Sequence, residues 1–261
     1  MPEHDDDLAL LTRAARAAGE IAARYFDRDQ KVWDKGGGQG PVTEADLEID
    51  RMLKERLLAA RPGYGWLSEE TEDDPRRLSC TRVFIVDPID GTRAFVKGEK
   101  TFSHALAVAV NGQVVAGVVY LPLKGLCYCA TLGRGATLNG KPIHHSRRTD
   151  LTGARVLAAR HQFEPRLWPG GVPEIEHHFR SSLAYRLALV AEGRFDAMLT
   201  LRDAWEWDIA AGTLICAEAG VTITDRRNQP LSFNNAPPQQ AGVLAASAAL
   251  HAGFLRHLAV I

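Results

Sequence analysis

Residues 82–92 read Arg-Val-Phe-Ile-Val-Asp-Pro-Ile-Asp-Gly-Thr. Val83 to Val86 form an unbroken, partly β-branched apolar run, which predicts a strand buried on both faces. Asp87 then lies where that strand leaves the core. Pro88 has no N–H to donate and a fixed φ, so the strand is expected to stop there, and Asp90-Gly91 supplies a residue tolerant of positive φ. The result is a rigid corner displaying Asp87, Asp90 and Thr92. Asp-Pro and Asp-Gly are common turn formers, and an aspartate beside a helix start is often only a cap. Two aspartates three apart around a proline, followed at once by Gly-Thr, also suit a hard cation and a phosphate. The first takes oxygen ligands, and the second takes N–H groups left free at a helix N-terminus.

The chain has 261 residues, enough to bury a large core in one domain or two joined lobes. Its 31 basic and 32 acidic residues give a net charge of -1, so no overall basic field points to nucleic acid or an anionic membrane. Cys80, Cys127, Cys129 and Cys216 are too scattered for a disulfide framework, and no Cys-x-x-Cys pair suggests zinc. Cys127 and Cys129 share one face of an expected strand, where core packing is their role. The acidic start, Met1 to Asp7, lacks the basic and apolar parts of an export signal, and no apolar run reaches membrane-spanning length. A soluble, cytoplasmic protein without a membrane or nucleic-acid partner is expected.

Working outward from the corner, Asp7 to Phe26 carries a helical stripe at Leu8, Leu11, Ala15, Ala18, Ala22 and Tyr25. Gly36 to Pro41 breaks the pattern and reads as a flap or a linker. A second amphipathic helix follows from Leu47 to Leu58, with Thr43 and Asp46 placed as a capping box. Gly65-Trp66-Leu67 reads as a short strand delivering Ser68-Glu69-Glu70. After the corner, Ser103 to Val110 and Val114 to Tyr120 flank Asn111-Gly112 as a hairpin, and Leu126 to Ala130 and Ala136 to Leu138 extend the meander.

From Arg155 strands alternate with helices: strands at Val156 to Ala159, Phe179, Phe195 to Leu199, Val221 to Thr224 and Val243 to Ala246. The helices are Ser182 to Glu192, Asp208 to Ala219 and Ala248 to Ala259. A lobe boundary is expected near 145–154. Residues 1–150 then form an α+β lobe with most metal ligands, and residues 151–261 an α/β lobe with Asp208 and the segments that select substrate. Asp208, in Trp207-Asp208-Ile209-Ala210-Ala211-Gly212, reads as a helix N-cap with one oxygen left for a cation.

Pro41-Val42-Thr43-x-x-Asp46, Ser68-Glu69-Glu70, Asp87-Pro88-Ile89-Asp90-Gly91-Thr92 and Trp207 to Gly212 together resemble the ordered motif set of the inositol monophosphatase superfamily. The likeness spans most of the chain. It implies an α+β fold, a layered αβαβα sandwich, in a homodimer that hydrolyses a small phosphorylated substrate with two or three Mg²⁺ ions. It further implies that Glu69, Asp87, the Ile89 carbonyl, Asp90 and Asp208 ligate the metal. Asp46, Glu69 and Thr92 would serve the attacking water, and Gly91 and Thr92 would bind phosphate through their N–H groups. Convergent carboxylates would each repel a phosphate charge by about 4 kcal/mol at about 4 Å and an effective dielectric near 20, so a divalent cation is required.

Inositol-selective relatives carry a glutamate some seven residues before the Trp-Asp pair, where this chain has Thr200-Leu201-Arg202. The segment from Ser181 to Asp208 looks more like the bacterial 3'(2'),5'-bisphosphate nucleotidase (CysQ-like) branch, which acts on 3'-phosphoadenosine 5'-phosphate. On that likeness Ser181, Ser182 and Asp208 contact substrate, although Ser182 also reads as a helix cap. Lys97, Lys100, Arg180 and Arg202 are candidates for a second phosphate or plain surface charges. His104 is expected to be structural. Inositol-1-phosphate phosphatase, another sugar or amino-alcohol phosphatase, and a regulatory binding protein retaining the fold are the alternatives.

Overall fold

The computed structural model describes residues 2–29, 31–34, 36 and 40–258. Leu11, Ala14, Ala15, Ala18 and Ala22 recur at helical spacing, and helix α1 (Pro2–Tyr25) buries that stripe. Strands β1 (Val32–Asp34) and β2 (Pro41–Thr43) pair antiparallel; residues 35 and 37–39, in the glycine-rich stretch between them, lie outside the described residues. Helix α2 (Glu44–Ala60) follows without a break, started by the capping box of Thr43 and Asp46.

Seven strands then build the first sheet, in chain order: β3 (Gly65–Ser68), β4 (Arg82–Asp90), β5 (Ser103–Val110), β6 (Gln113–Leu121), β7 (Leu126–Thr131), β8 (Ala136–Leu138) and β9 (Lys141–Pro142). A one-and-a-half-turn helix, α3 (Thr92–Val96), interrupts the run after β4. The β3–β4 pair is parallel, and the later neighbours are antiparallel. Asn111 and Gly112 turn the β5–β6 hairpin with φ of 48° and 82°, the left-handed conformation that Asn-Gly reaches at low cost.

The second sheet is mixed. Its strands are β10 (Ala154–Leu157), β11 (Ile175–His178), β12 (Ala197–Thr200), β14 (Thr222–Thr224) and β16 (Val243–Ala246), in the spatial order β11-β10-β12-β16-β14. Helices α4 (Leu183–Ala191), α5 (Glu206–Glu218) and α6 (Ala248–His257) connect or follow them, and β13 (Ala204–Trp205) pairs separately with β15 (Gln239–Gln240). The strand expected around Phe179 lies instead at Ile175–His178, and Phe179 is exposed just beyond it. As the edge strand of the sheet, Ile175-Glu-His-His is half exposed and shows no apolar run to betray it.

Three buried clusters separate five layers. Helices α1 and α2 place Leu11, Ile49 and Leu53 against Phe84, Val86, Leu106 and Val118 on one face of the first sheet. On its other face, Val83, Ile85, Ala107 and Val119 meet Leu187 of α4, Ile209 of α5, and Met198 and Ala245 of the second sheet. The outer face of that sheet, with Val156, Leu199 and Leu244, is covered by Leu250 and Phe254 of α6 and by Trp168. The order is thus α, β, α, β, α, and β4 is buried on both faces, as its sequence predicts. Truncating Phe84 to alanine would cost about 3–5 kcal/mol through the cavity left behind. Gly117 lets the middle layer approach closely: a Cβ there would meet the Ala211 Cα and O at 3.1 Å. Among the described residues no helix is long and apolar enough to cross a membrane.

Candidate active site

The parallel pair β3–β4 places the first two carboxylates. Ser68 is in register with Val86, and the Glu69 N–H donates to the Val86 carbonyl at 3.3 Å, so Glu69 and Asp87 leave the carboxyl ends of adjacent strands. Asp208 arrives from the middle layer. One oxygen each of Glu69, Asp87 and Asp208 lies within 4.8 Å of the others. The Asp208 carboxylate comes from inside the first turn of α5, which starts at Glu206 with Trp205 as its cap, and this corrects the expectation that Asp208 is the N-cap. The cap is Trp205, three residues earlier than the Asp208 signal suggests, and its ring stacks on Trp207 at 4.8 Å.

Asp87 is 1% exposed, and its Oδ1 is buried without a hydrogen-bond partner. Burial, then the charges of Glu69, Asp90, Asp208 and Glu70, push its carboxyl well above the usual range. Burial, followed by Asp90 and Glu69, does the same to Asp208. An oxygen-only donor set of like charges, with one buried oxygen unsatisfied, fits a hard divalent cation.

The corner itself differs in one respect from its sequence expectation. Strand β4 does not stop at Pro88 but continues to Asp90 through a bulge, with register lost between Asp87↔Ala105 and Asp90↔Ser103. Inside the bulge the missing Pro88 N–H costs no ladder bond. The Pro88 carbonyl takes a hydrogen bond from Nδ1 of His104, a fully buried ring whose pKa burial lowers to about 4. His104 is therefore a neutral brace for the corner. Gly91 has a φ of 96° and caps α3, and a Cβ there would come within 3.4 Å of the Ser182 N.

Thr92 Oγ1 lies 3.0 Å from the Ile89 carbonyl and 3.3 Å from Asp46 Oδ1. The other Asp46 oxygen accepts from the Thr43 N–H at 2.8 Å and from its hydroxyl at 2.5 Å. One carboxylate thus closes the capping box and faces Thr92. Asp90 turns toward α4: its Oδ2 accepts from Ser182 Oγ and the Ala184 N–H, both at 2.6 Å. Burial lifts its pKa to about 6 against those bonds.

Ser182 is fully buried, caps α4 by accepting from the Tyr185 N–H at 2.9 Å, and meets Ser103 Oγ at 2.9 Å. Its hydroxyl is engaged inside the fold, where it serves as the helix cap. Ser181 is partly exposed, and its carbonyl accepts from Arg186. Among the basic candidates, Arg180 donates to the Phe179 carbonyl, Lys97 and Lys100 are exposed, and the charge of Arg202 acts on Asp208. Cys127 and Cys129 point the same way, with sulfurs 3.5 Å apart.

Several contributors escape the motif reading. Asp50, one turn after Asp46 on α2, accepts from Ser68 Oγ at 2.5 Å and Thr71 Oγ1 at 2.6 Å and so fixes both ends of the Glu69-Glu70 segment. Its i,i+4 spacing from Asp46 was a legible signal. Arg77 and Glu206, both buried, join the loop after Glu69 to the start of α5 through Asn234 and Asn235. No local pattern announces that link.

The five-layer αβαβα fold brings acids from two parallel strands and from the first turn of α5 to one place, and the family that matches this chain is one of phosphatases. The chain belongs to the inositol monophosphatase family, whose model matches residues 3–260. It is 35% identical over 229 residues to the inositol-1-monophosphatase of Rhizobium meliloti (strain 1021), covering 84% of this chain and 85% of that protein. It is 32% identical over 228 residues to the 3'(2'),5'-bisphosphate nucleotidase CysQ of Aggregatibacter actinomycetemcomitans, covering 84% of each. The crystal structure of extragenic suppressor protein suhB from Bartonella henselae superposes with a TM-score of 0.83 at 27% identity, over 96% of this chain and 97% of that one.

Proposed function

We propose that this phosphatase is Mg²⁺-dependent and removes the 3'-phosphate of a 3',5'-bisphosphorylated nucleoside such as 3'-phosphoadenosine 5'-phosphate. The observation that carries the metal reading is the convergence of Glu69, Asp87 and Asp208 within 4.8 Å, with Asp87 Oδ1 buried and unpartnered. These three, the Ile89 carbonyl and the second oxygen of Asp90 would hold two or three ions. Bound Mg²⁺ would supply the positive charge that admits a phosphate among carboxylates and would acidify the attacking water.

The chain's own residues do the rest. Asp46 and Thr92 form a hydrogen-bonded pair beside the cluster. They orient the water, and the Asp46 carboxylate receives its proton, with Glu69 assisting. The Gly91 and Thr92 N–H groups, where the backbone turns through positive φ into α3, face the phosphate oxygens. Asp90 holds the start of α4 against this corner.

The choice of substrate rests on what is missing from the rim. Thr200 and Leu201 are buried and carry no carboxylate. The two nearest acids are occupied: Asp203 pairs with Arg226 at 2.6 Å, and Glu206 is enclosed by Asn234 and Asn235. Glu206 is thus closed to a polyol, and the half-exposed Asp203 stands nearer the Trp-Asp pair than the inositol-selective glutamate, with one oxygen held by Arg226. Hydrolysis of inositol 1-phosphate is the second reading, favoured by the 35% identity to a protein of that name. Ranking kcat/KM over 3'-phosphoadenosine 5'-phosphate, inositol 1-phosphate, fructose 1,6-bisphosphate and histidinol phosphate decides between them. A clear win for inositol 1-phosphate overturns the nucleotide reading.

A further inference from the structure

Glu69 and Asp208 approach each other although they belong to distant segments, one on the first sheet and the other on a helix of the middle layer. A continuous hydrogen-bond network, buried at Arg77 and Glu206, spans that gap. Arg77, 2% exposed, forks onto Asp73 with Nε–Oδ1 at 2.6 Å and Nη2–Oδ2 at 2.8 Å, which anchors the loop that follows Glu69. The same guanidinium donates from Nη1 to Asn234 Oδ1 at 2.6 Å and from Nη2 to the Asn235 carbonyl at 2.8 Å. Asn234 answers by donating from Nδ2 to the Arg77 carbonyl at 3.2 Å.

The far end of the network is Glu206, fully buried and two residues before Asp208. Its Oε2 accepts from the Asn234 N–H at 2.6 Å, and its Oε1 from the Asn235 N–H at 3.0 Å, Asn235 Nδ2 at 2.6 Å and Gln240 Nε2 at 3.3 Å. Asn234 sits at a φ of 69°, which lets successive backbone N–H groups turn toward one carboxylate. A buried carboxylate is tolerated only when fully hydrogen-bonded, and here four donors surround it. Loop, guanidinium, two asparagines and helix start are thus one hydrogen-bonded unit that runs from Asp73, four residues after Glu69, to Glu206, two before Asp208.

We infer that Arg77, Asn235 and Glu206 are positioning residues that set the separation of Glu69 and Asp208 and thereby the affinity of the site for its divalent cation. The inference rests on the metal reading given under the proposed function. Outer partners that hydrogen-bond metal ligands change metal affinity by about 10–100-fold when lost, and these residues act on Glu69 and Asp208 through the backbone of their segments.

The test measures Mg²⁺ binding by titration calorimetry to the chelated and dialysed full chain, beside the Mg²⁺ concentration for half-maximal rate. Arg77→Lys and Glu206→Gln are the principal variants. Asn235→Ala, at a half-exposed position, is a milder change that keeps the test open if either principal variant fails to fold. Asp7→Asn serves as control, because Asp7 is buried against Arg61 and Tyr64 on the far side of the first sheet's helical layer. The expected result is a Kd for Mg²⁺ raised at least about tenfold in the network variants, with the control losing Tm but not affinity. Network variants that lose Tm yet bind Mg²⁺ as the wild type does overturn the inference and leave the metal reading intact. A wild type that binds no Mg²⁺ overturns the metal reading itself.

Discussion

Replacing Asp87 by asparagine should make the metal-free protein more stable while nearly abolishing activity. Oxygens of Glu69, Asp87 and Asp208 lie within 4.8 Å of one another. At that separation and an effective dielectric near 20, each pair of charges repels by about 3.5 kcal/mol. Asp87 faces two such partners, and the raised carboxyl shows that proton uptake already relieves part of the repulsion. Net relief of about 3 kcal/mol remains at neutral pH, since the new amide can also donate to a neighbouring carboxylate. For a chain of this length that corresponds to a rise in Tm of about 6–12 °C. The assay is calorimetry of chelated wild type and Asp87→Asn, followed by the same scans in Mg²⁺. Wild type should gain Tm on adding Mg²⁺ and the variant should not, while its rate falls at least about a hundredfold. A chelated variant with a Tm at or below that of wild type would refute the reasoning, because Asp87 would then be a satisfied structural acid.

Acid titration should expose two buried groups of opposite sign. His104, lowered to about 4, contributes stability that is complete above about pH 6.5 and is lost as pH falls toward 4, so the advantage of wild type over His104→Gln in urea unfolding should shrink by about 3 kcal/mol across that window. Asp90, raised to about 6, works the other way: its contribution is complete below about pH 3.8 and is lost as pH rises through 6, so chelated wild type should gain on Asp90→Asn as pH falls. Gly91→Ala should cost about 1–2 kcal/mol in calorimetry, because alanine is strained at a φ of 96°. Thr92→Val removes the hydroxyl facing Asp46 and should lower kcat by about 10²-fold with little change in KM, measured by phosphate release at saturating Mg²⁺.

Much of this arrangement was legible before any coordinates. Val83 to Val86 announced a central strand because a strand buried on both faces is apolar at every position, and Asn111-Gly112 announced its hairpin because few other pairs adopt two positive φ values. Asp46 and Thr43 showed themselves through local spacing, and the carboxylate that closes the capping box also faces Thr92. What stayed hidden depends on contacts between distant segments. Pro88 looked like a strand end because a bulge is set by the neighbouring strand β5. Ile175–His178 pairs at a sheet edge, where half-exposed polar residues are tolerated. The bonds of Ser182 to Asp90 and Ser103, which bury its hydroxyl, join segments 92 and 79 residues apart. Arg77 and Glu206 are an ordinary cation and anion in the sequence, and only the loop at Asn234 and Asn235 makes them one network.

The central claim is that Glu69, Asp87 and Asp208 hold the divalent ion on which phosphate ester hydrolysis depends. It is tested most directly by following phosphate release from 3'-phosphoadenosine 5'-phosphate and inositol 1-phosphate with exhaustively chelated protein as Mg²⁺ is added back. The account predicts no turnover of either ester without metal and saturable recovery with it. Turnover that survives exhaustive chelation would contradict it.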